Sequence, residues 1–289
     1  MPLALALWLA FAPPDAALEA RFEMVARQAR GRVGAAAELM ESRQWSAYRG
    51  VDRFPLESVA ALPIAMAILS EVDRGTLTIQ ERVRVLPADL VPPEIQSPLR
   101  DLRPHGSEAS IGELLEYAIR QGDGTASDVL LRLAGGPESV TAFLRGIGLQ
   151  DIAIEVDEGA IGRNGPQAYR NWATPESALA LLGGLQSGRG LSLESRSLLL
   201  RLMSTSSTST HRIPGLLPAG LPVAHKDGTS ETAHGVTRAT NDVGIVTLPD
   251  GRHLAIAVFV SDSPAGEDVR EGVIAKIARA AWEHWFNPR

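Results

Sequence analysis

The chain has 289 residues, 45% of them hydrophobic, enough to bury the core of one large domain or two interleaved ones, which excludes disorder as the default. Lys and Arg number 28 against 34 Asp and Glu, a formal net charge of −6 without a basic stripe, so nucleic-acid binding has no electrostatic footprint. There is no cysteine, which excludes disulfides and thiolate metal sites, and His105, His211, His225, His234, His253 and His284 lack ligand spacing, so no metal or other cofactor is expected.

Residues 1–12 form an apolar run ending in Ala-Phe-Ala, similar to a signal-peptidase site, although the run is short and no Lys or Arg precedes it. A periplasmic or secreted protein is the expectation, with a plain apolar first helix as the alternative. No later stretch reaches the ~18 apolar residues of a membrane span. After Pro13-Pro14, Leu18, Phe22, Val25 and Ala26 mark a helix over 16–30, and 32–40 and 45–49 read as paired strands. Residues 58–72 are almost wholly apolar, which predicts a helix buried on all sides, with Pro63 near its start. Ser110 and Glu113 form a capping box, and Thr174-Pro175 supplies an N-cap with proline at the first helical position. The Ser/Thr run 204–210 then links the helical middle to a strand-rich end, or serves as a flexible linker. Strands are predicted over 221–225, 243–248 and 253–260, the last two joined by a Pro249-Asp250-Gly251 turn. A closing helix over 267–285 sets Val269, Val273, Ile277, Ala281 and Trp285 against the sheet.

Strands at both ends with helices between them imply an α/β (α+β) fold: one antiparallel sheet built from both chain ends, with flanking helices and an inserted helical domain. The expected boundaries are 13–52 and 212–289 for the sheet domain and 53–211 for the helical one.

Four segments carry a resemblance. Arg53-Phe-Pro-Leu-Glu-Ser58 opens the buried helix, and Gln121-Gly122-Asp123-Gly124-Thr125-Ala126 precedes another. Asp157-Glu158-Gly159-Ala160-Ile161-Gly162 precedes Tyr169-Arg170-Asn171-Trp172, and His225-Lys226-Asp227-Gly228-Thr229-Ser230 precedes the hairpin. In this order and spacing they resemble the class A serine β-lactamases, of the β-lactamase and transpeptidase fold. The resemblance implies Ser58 as the nucleophile, Glu158 as the carboxylate that activates water within an omega loop of about 152–173, and Lys226 and Gly228 as the outer residues of a Lys-Thr-Gly strand. It implies Asp123, Gly228, Thr229 and Arg212 at substrate-binding positions, Thr229 and Ser58 lending backbone N–H groups to an oxyanion hole. The Asp of the helical motif is a buried, hydrogen-bonded residue in that family. A small-molecule ligand, either a β-lactam or a peptidoglycan-peptide-like compound, and a monomer follow as expectations.

The departures fall on the catalytic positions. Ala61 replaces the lysine of Ser-x-x-Lys, Gly122 and Gly124 replace the serine and asparagine of Ser-Asp-Asn, Asp227 replaces the threonine of Lys-Thr-Gly, and Gly162 stands where a polar residue steadies water. A serine hydroxyl is a poor nucleophile until a base takes its proton, and each lost proton-transfer group is worth roughly 10²–10⁴ in rate. Lys226 facing Glu158 and Asp227 also turns a net positive pocket negative, against a β-lactam carboxylate. Without the lysine and beside Asp227, Glu158 is expected to titrate high. The leading expectation is therefore a degenerate homologue, a pseudoenzyme with weak or absent β-lactam hydrolysis. The alternatives are an active hydrolase using Ser58 with Glu158 as water-mediated base, a non-catalytic ligand-binding protein, and a structural protein whose cleft is closed. Asp123 and Asp227 acting together as acid and base is a further arrangement, disfavoured because Asp227 beside Lys226 is more simply an ion pair.

Overall fold

The computed structural model describes residues 13–163 and 165–286. The apolar run 1–12 lies outside the described residues. Strands β1 (Arg32–Leu39), β2 (Gln44–Tyr48), β3 (Val223–Thr229), β4 (Thr232–Ala233), β5 (Val236–Thr247) and β6 (His253–Ser263) form an antiparallel sheet in the order β2-β1-β6-β5-β3, with β4 paired to β5. Arg32 of β1 lies opposite Ser261 of β6 and Leu39 opposite Leu254, so the two chain ends meet in the middle of the sheet. The β5–β6 hairpin turns through Gly251, whose φ of 87° suits glycine.

Side chains alternate along β6 as the strand period of two requires. Leu254, Ile256, Val258 and Val260 pack under the terminal helices Ala16–Ala26 and Glu267–Trp285, whereas Ala255, Ala257 and Phe259 face the core around the helix Ala61–Asp73. That helix is buried from Ala61 through Leu69, which its uniformly apolar sequence demands. The capping box forms, with Ser110 Oγ accepting from Glu113 N at 3.1 Å and Glu113 accepting from Ser110 N at 2.6 Å.

Two expectations need correction. In the closing helix, Val273, Ile277 and Ala281 are buried against the sheet and Trp285 packs partly buried on the same cluster, but Val269 is 43% exposed. A row of every fourth residue drifts about 40° per step around a helix of 3.6 residues per turn, so Val269, at the start of that row, turns away from the sheet. The run 204–210 is also no free linker: Ser207 N–H donates to Arg120 O at 3.1 Å, and Thr208 and Ser209 bond to Asp227. Among the described residues, no helix is long and apolar enough to cross a membrane.

Candidate active site

Ser58 follows a strained corner. Glu57 has φ of 47°, in the left-handed region that a Cβ disfavours, and Glu57–Ala60 form a 3₁₀ turn that leads into the buried helix. The corner is pinned from two directions. Leu56 N–H donates to Asn171 O at 2.9 Å, and Asn241 Nδ2 donates to the carbonyls of Pro55 and Leu56 at 2.8 and 3.1 Å. Strand β3 presses on the same turn, where a Cβ on Gly228 would stand 2.6 Å from Leu56 O and 3.1 Å from Ser58 N. Glycine is thus required at 228 by close backbone approach, which sets Gly228 beside the Ser58 amide.

Ser58, Glu158 and Lys226, from three separate segments, line one cleft of about 390 Å³ together with Gly122, Gly162, Asp227, Gly228 and Thr229. On the β3 wall, the buried Lys226 ammonium donates to Asp227 O at 2.7 Å and to Asp227 Oδ1 at 3.2 Å. Asp227 also accepts from Thr208 Oγ1 at 2.7 Å and Ser209 Oγ at 2.5 Å, and Arg212 stands 3.6 Å away. Burial would raise the Asp227 carboxyl, but Lys226, Arg212 and the two hydroxyls outweigh it and hold it far below the usual carboxylate range.

The opposite wall is different. Glu158 is buried, and its backbone N–H and that of Gly159 donate to the two oxygens of Asp128 at 2.7 and 2.9 Å. Burial pushes the Glu158 carboxyl up to about 8, aided by the charges of Asp128 and Glu57 and opposed by Lys226. Burial likewise pushes Asp128 up to about 7. The direction for Glu158 is the expected one, but its sources are burial and the charges of Asp128, Glu57 and Asp157. Glu57 is held by Arg238, whose Nε donates to Glu57 Oε1 at 3.0 Å.

Two assigned substrate-binding residues do not line this cleft. Asp123 is fully buried, accepting from Leu99 N at 2.6 Å, Ala126 N at 2.8 Å and Ser97 Oγ at 3.0 Å. It clamps the loop before the helix Pro98–Leu102, which also rules out pairing it with Asp227 as acid and base. Arg212 is 2% exposed and acts from behind β3, donating to Glu271 at 3.0 Å, to Asn241 O at 2.9 Å and to Thr229 Oγ1 at 2.6 Å. Ala61 presents only a buried methyl near the start of its helix. Among the described residues, no group of three or more His, Asp and Glu could hold a metal ion.

Sequence reasoning missed Glu57, Arg238, Asp128, Thr208, Ser209 and the cleft-lining Ile95. Glu57 had a signal, since an acid beside a half-buried serine at a helix start demands a partner. The others are brought in by segments distant along the chain.

Residues 17–285 match the profile of a family described as a beta-lactamase enzyme family. The chain is 34% identical over 272 residues to the β-lactamase VEB-1 of Pseudomonas aeruginosa, covering 93% of this chain and 91% of that protein. It is 34% identical over 232 residues to the extended-spectrum β-lactamase PER-1 of the same organism, covering 80% and 75%. Among solved structures, a β-lactamase from Chitinophaga pinensis is similar with a TM-score of 0.90 at 39% identity, over 93% of this chain and 99% of that one. The extended-spectrum β-lactamase TLA-1 is similar with a TM-score of 0.90 at 35% identity, over 93% and 98%.

Proposed function

The chain belongs to the class A β-lactamase family, and from that premise we propose that its Ser58 cleft binds a β-lactam or peptidoglycan-peptide-like molecule with little or no hydrolysis of β-lactams. The observation that carries this reading is that Ser58 has no ready proton acceptor. Ala61 has no basic group, the Lys226 ammonium is engaged by Asp227, and Glu158, pushed up to about 8, holds its proton at neutral pH. Gly122 also offers no hydroxyl to protonate a leaving nitrogen. The open cleft, bounded by charged and polar side chains, favours ligand binding over a purely structural role.

The test is hydrolysis of a chromogenic cephalosporin, with mass spectrometry for an acyl adduct on Ser58 after incubation with benzylpenicillin. We expect turnover near background. A kcat on the order of 10 s⁻¹, ordinary for an enzyme, would refute the reading.

A second reading, an active hydrolase with Glu158 as water-mediated base, draws on one observation: Glu158 lines the same cleft as Ser58 and ionises above about pH 8. Under that reading, residual acylation or hydrolysis rises with pH through 8, because only the deprotonated carboxylate accepts a proton. A rate that is flat between pH 6 and 9 would remove Glu158 from any such role. Export is part of the proposal as well; it draws on the apolar run 1–12 and predicts a mature N-terminus near Pro13 in the exported protein.

A further inference from the structure

We propose that Ile95 is a specificity-determining residue: its side chain fills the corner of the cleft where side chains at positions 124 and 162 would stand, and so fits the site to ligands with no amide arm there. The proposal rests on the reading of this cleft as a ligand site. A Cβ built on Gly124 would fall deep inside van der Waals contact with Ile95 Cγ2, and one on Gly162 would stand 2.8 Å from Ile95 Cγ1 and 2.5 Å from Pro92 Cγ. A comfortable carbon contact is ~3.5–4.0 Å. The two glycines come from separate segments, one opening the helix Gly124–Leu133 and the other in the helix Glu158–Arg163, and they meet one side chain from two sides.

Ile95 is held in place. Arg100 Nη1 lies within hydrogen-bond distance of the carbonyls of Val91 (3.2 Å), Pro92 (2.7 Å) and Ile95 (2.8 Å). Gly124 N–H donates to Gln96 O at 2.9 Å, and Asp123 secures Ser97 and Leu99 just beyond. Ile95 also packs against the cluster of Val156, Ile161 and Ala168. The loop is therefore stitched to the segment that carries Gly124, and its backbone sets the half-buried Ile95 side chain against both glycines. Gly124, Gly162 and Ile95 are complementary parts of one packed contact, not three independent losses. A ligand arm whose amide would be satisfied by a polar side chain at 124 meets methyl groups there instead, and its polar atoms go unpaired.

A thermal cycle and a binding comparison test this. Melting midpoints are measured for the wild type, Gly124→Asn, Ile95→Ala and the double variant. Gly124→Asn alone is expected to lower the midpoint by several degrees, and Ile95→Ala to recover most of that loss in the double variant; additive losses would overturn the packing contact. Calorimetric titration then compares 6-aminopenicillanic acid, which lacks the acyl arm, with benzylpenicillin, which has it. The wild type is expected to bind the first at least as tightly as the second. Ile95→Ala is expected to shift that ratio about tenfold toward benzylpenicillin, the scale of discrimination by small changes in an apolar pocket. An unchanged ratio overturns the specificity role. Binding of neither compound by the wild type or by Ile95→Ala instead refutes the ligand-site reading and the role with it, while the melting cycle still decides whether Ile95 and Gly124 share one space.

Discussion

Asp227 and Glu158 line the same cleft, and both are buried, at 8% and 5% exposure, yet one is held charged and the other is pushed to hold its proton. The difference lies in their partners. Asp227 meets Lys226, Arg212, Thr208 and Ser209, all of which favour its charge. Glu158 meets Asp128, Glu57 and Asp157, three further acids, with Lys226 opposing them. Burial alone therefore does not decide the state of a carboxyl; the charges buried with it do. The β3 wall is a finished electrostatic unit, and the Glu158 wall is an unfinished one.

The comparison breaks most visibly at Asp227. Asp227→Asn leaves two buried cations without their shared carboxylate, and removing one partner of such a pair costs about 3–5 kcal/mol. Urea unfolding at pH 7 should register a loss of that size; a change under about 1 kcal/mol would mean that the wall is not held by this charge.

Glu158→Gln should do the reverse. The folded protein keeps the Glu158 proton up to about pH 8, whereas the unfolded chain releases it near 4.5, so wild-type stability falls as pH rises between those values and is flat above them. Glutamine removes this penalty. The variant is expected to match wild type at pH 4 and to exceed it by roughly 2–4 kcal/mol at pH 9, since each pKa unit corresponds to about 1.4 kcal/mol before local relaxation. A gain that does not grow with pH would place Glu158 in its charged form.

The smallest effect belongs to Asp128→Asn. It keeps an acceptor for one of the two N–H groups of the Glu158 turn while removing the first of the charges that raise Glu158. The Glu158 pKa should fall toward its ordinary range, read by NMR of carboxyl-labelled protein. No movement would leave burial, Glu57 and Asp157 as the causes of the shift.

Much of this site could be read before any fold was known, because its motifs are local. Ser58 sits at the start of an unmistakably apolar helix, and the Gly228 constraint lies in a short strand signature. Lys226 and Asp227 adjoin in the sequence and were expected to pair, and the Lys226 ammonium does reach Asp227 Oδ1 although neighbouring side chains of a strand start out on opposite faces. The state of the Glu158 wall was half legible: a high pKa followed from the missing lysine, and Glu57 beside Ser58 called for a partner, but Asp128 comes from another helix and no local spacing announces its meeting with Glu158. Ile95 was illegible for the same reason. Its only trace was a pair of glycines, at 124 and 162, in place of polar side chains, which reads as loss until the side chain filling both spaces is seen. The closing helix differs again, since its bounds and most of its apolar face match the expectation and only Val269, at its first turn, faces outward.

The sheet order carries a consequence for biosynthesis. β1 leaves the ribosome early, but its partner β6 lies about 230 residues later, with Arg32 opposite Ser261. At 5–20 residues per second, ten seconds or more separate the emergence of the two strands. Through that interval the apolar run Ala61–Leu69 is already outside, while the strands that complete its core are not. The nascent chain therefore holds that helix covered only by the helices of residues 111–204 that share its core, and the sheet side of the core stays open until β6 arrives. An mRNA truncated before codon 253 should yield ribosome-bound chains that are protease-sensitive and chaperone-associated, and one extended well past codon 263 should yield chains that are neither.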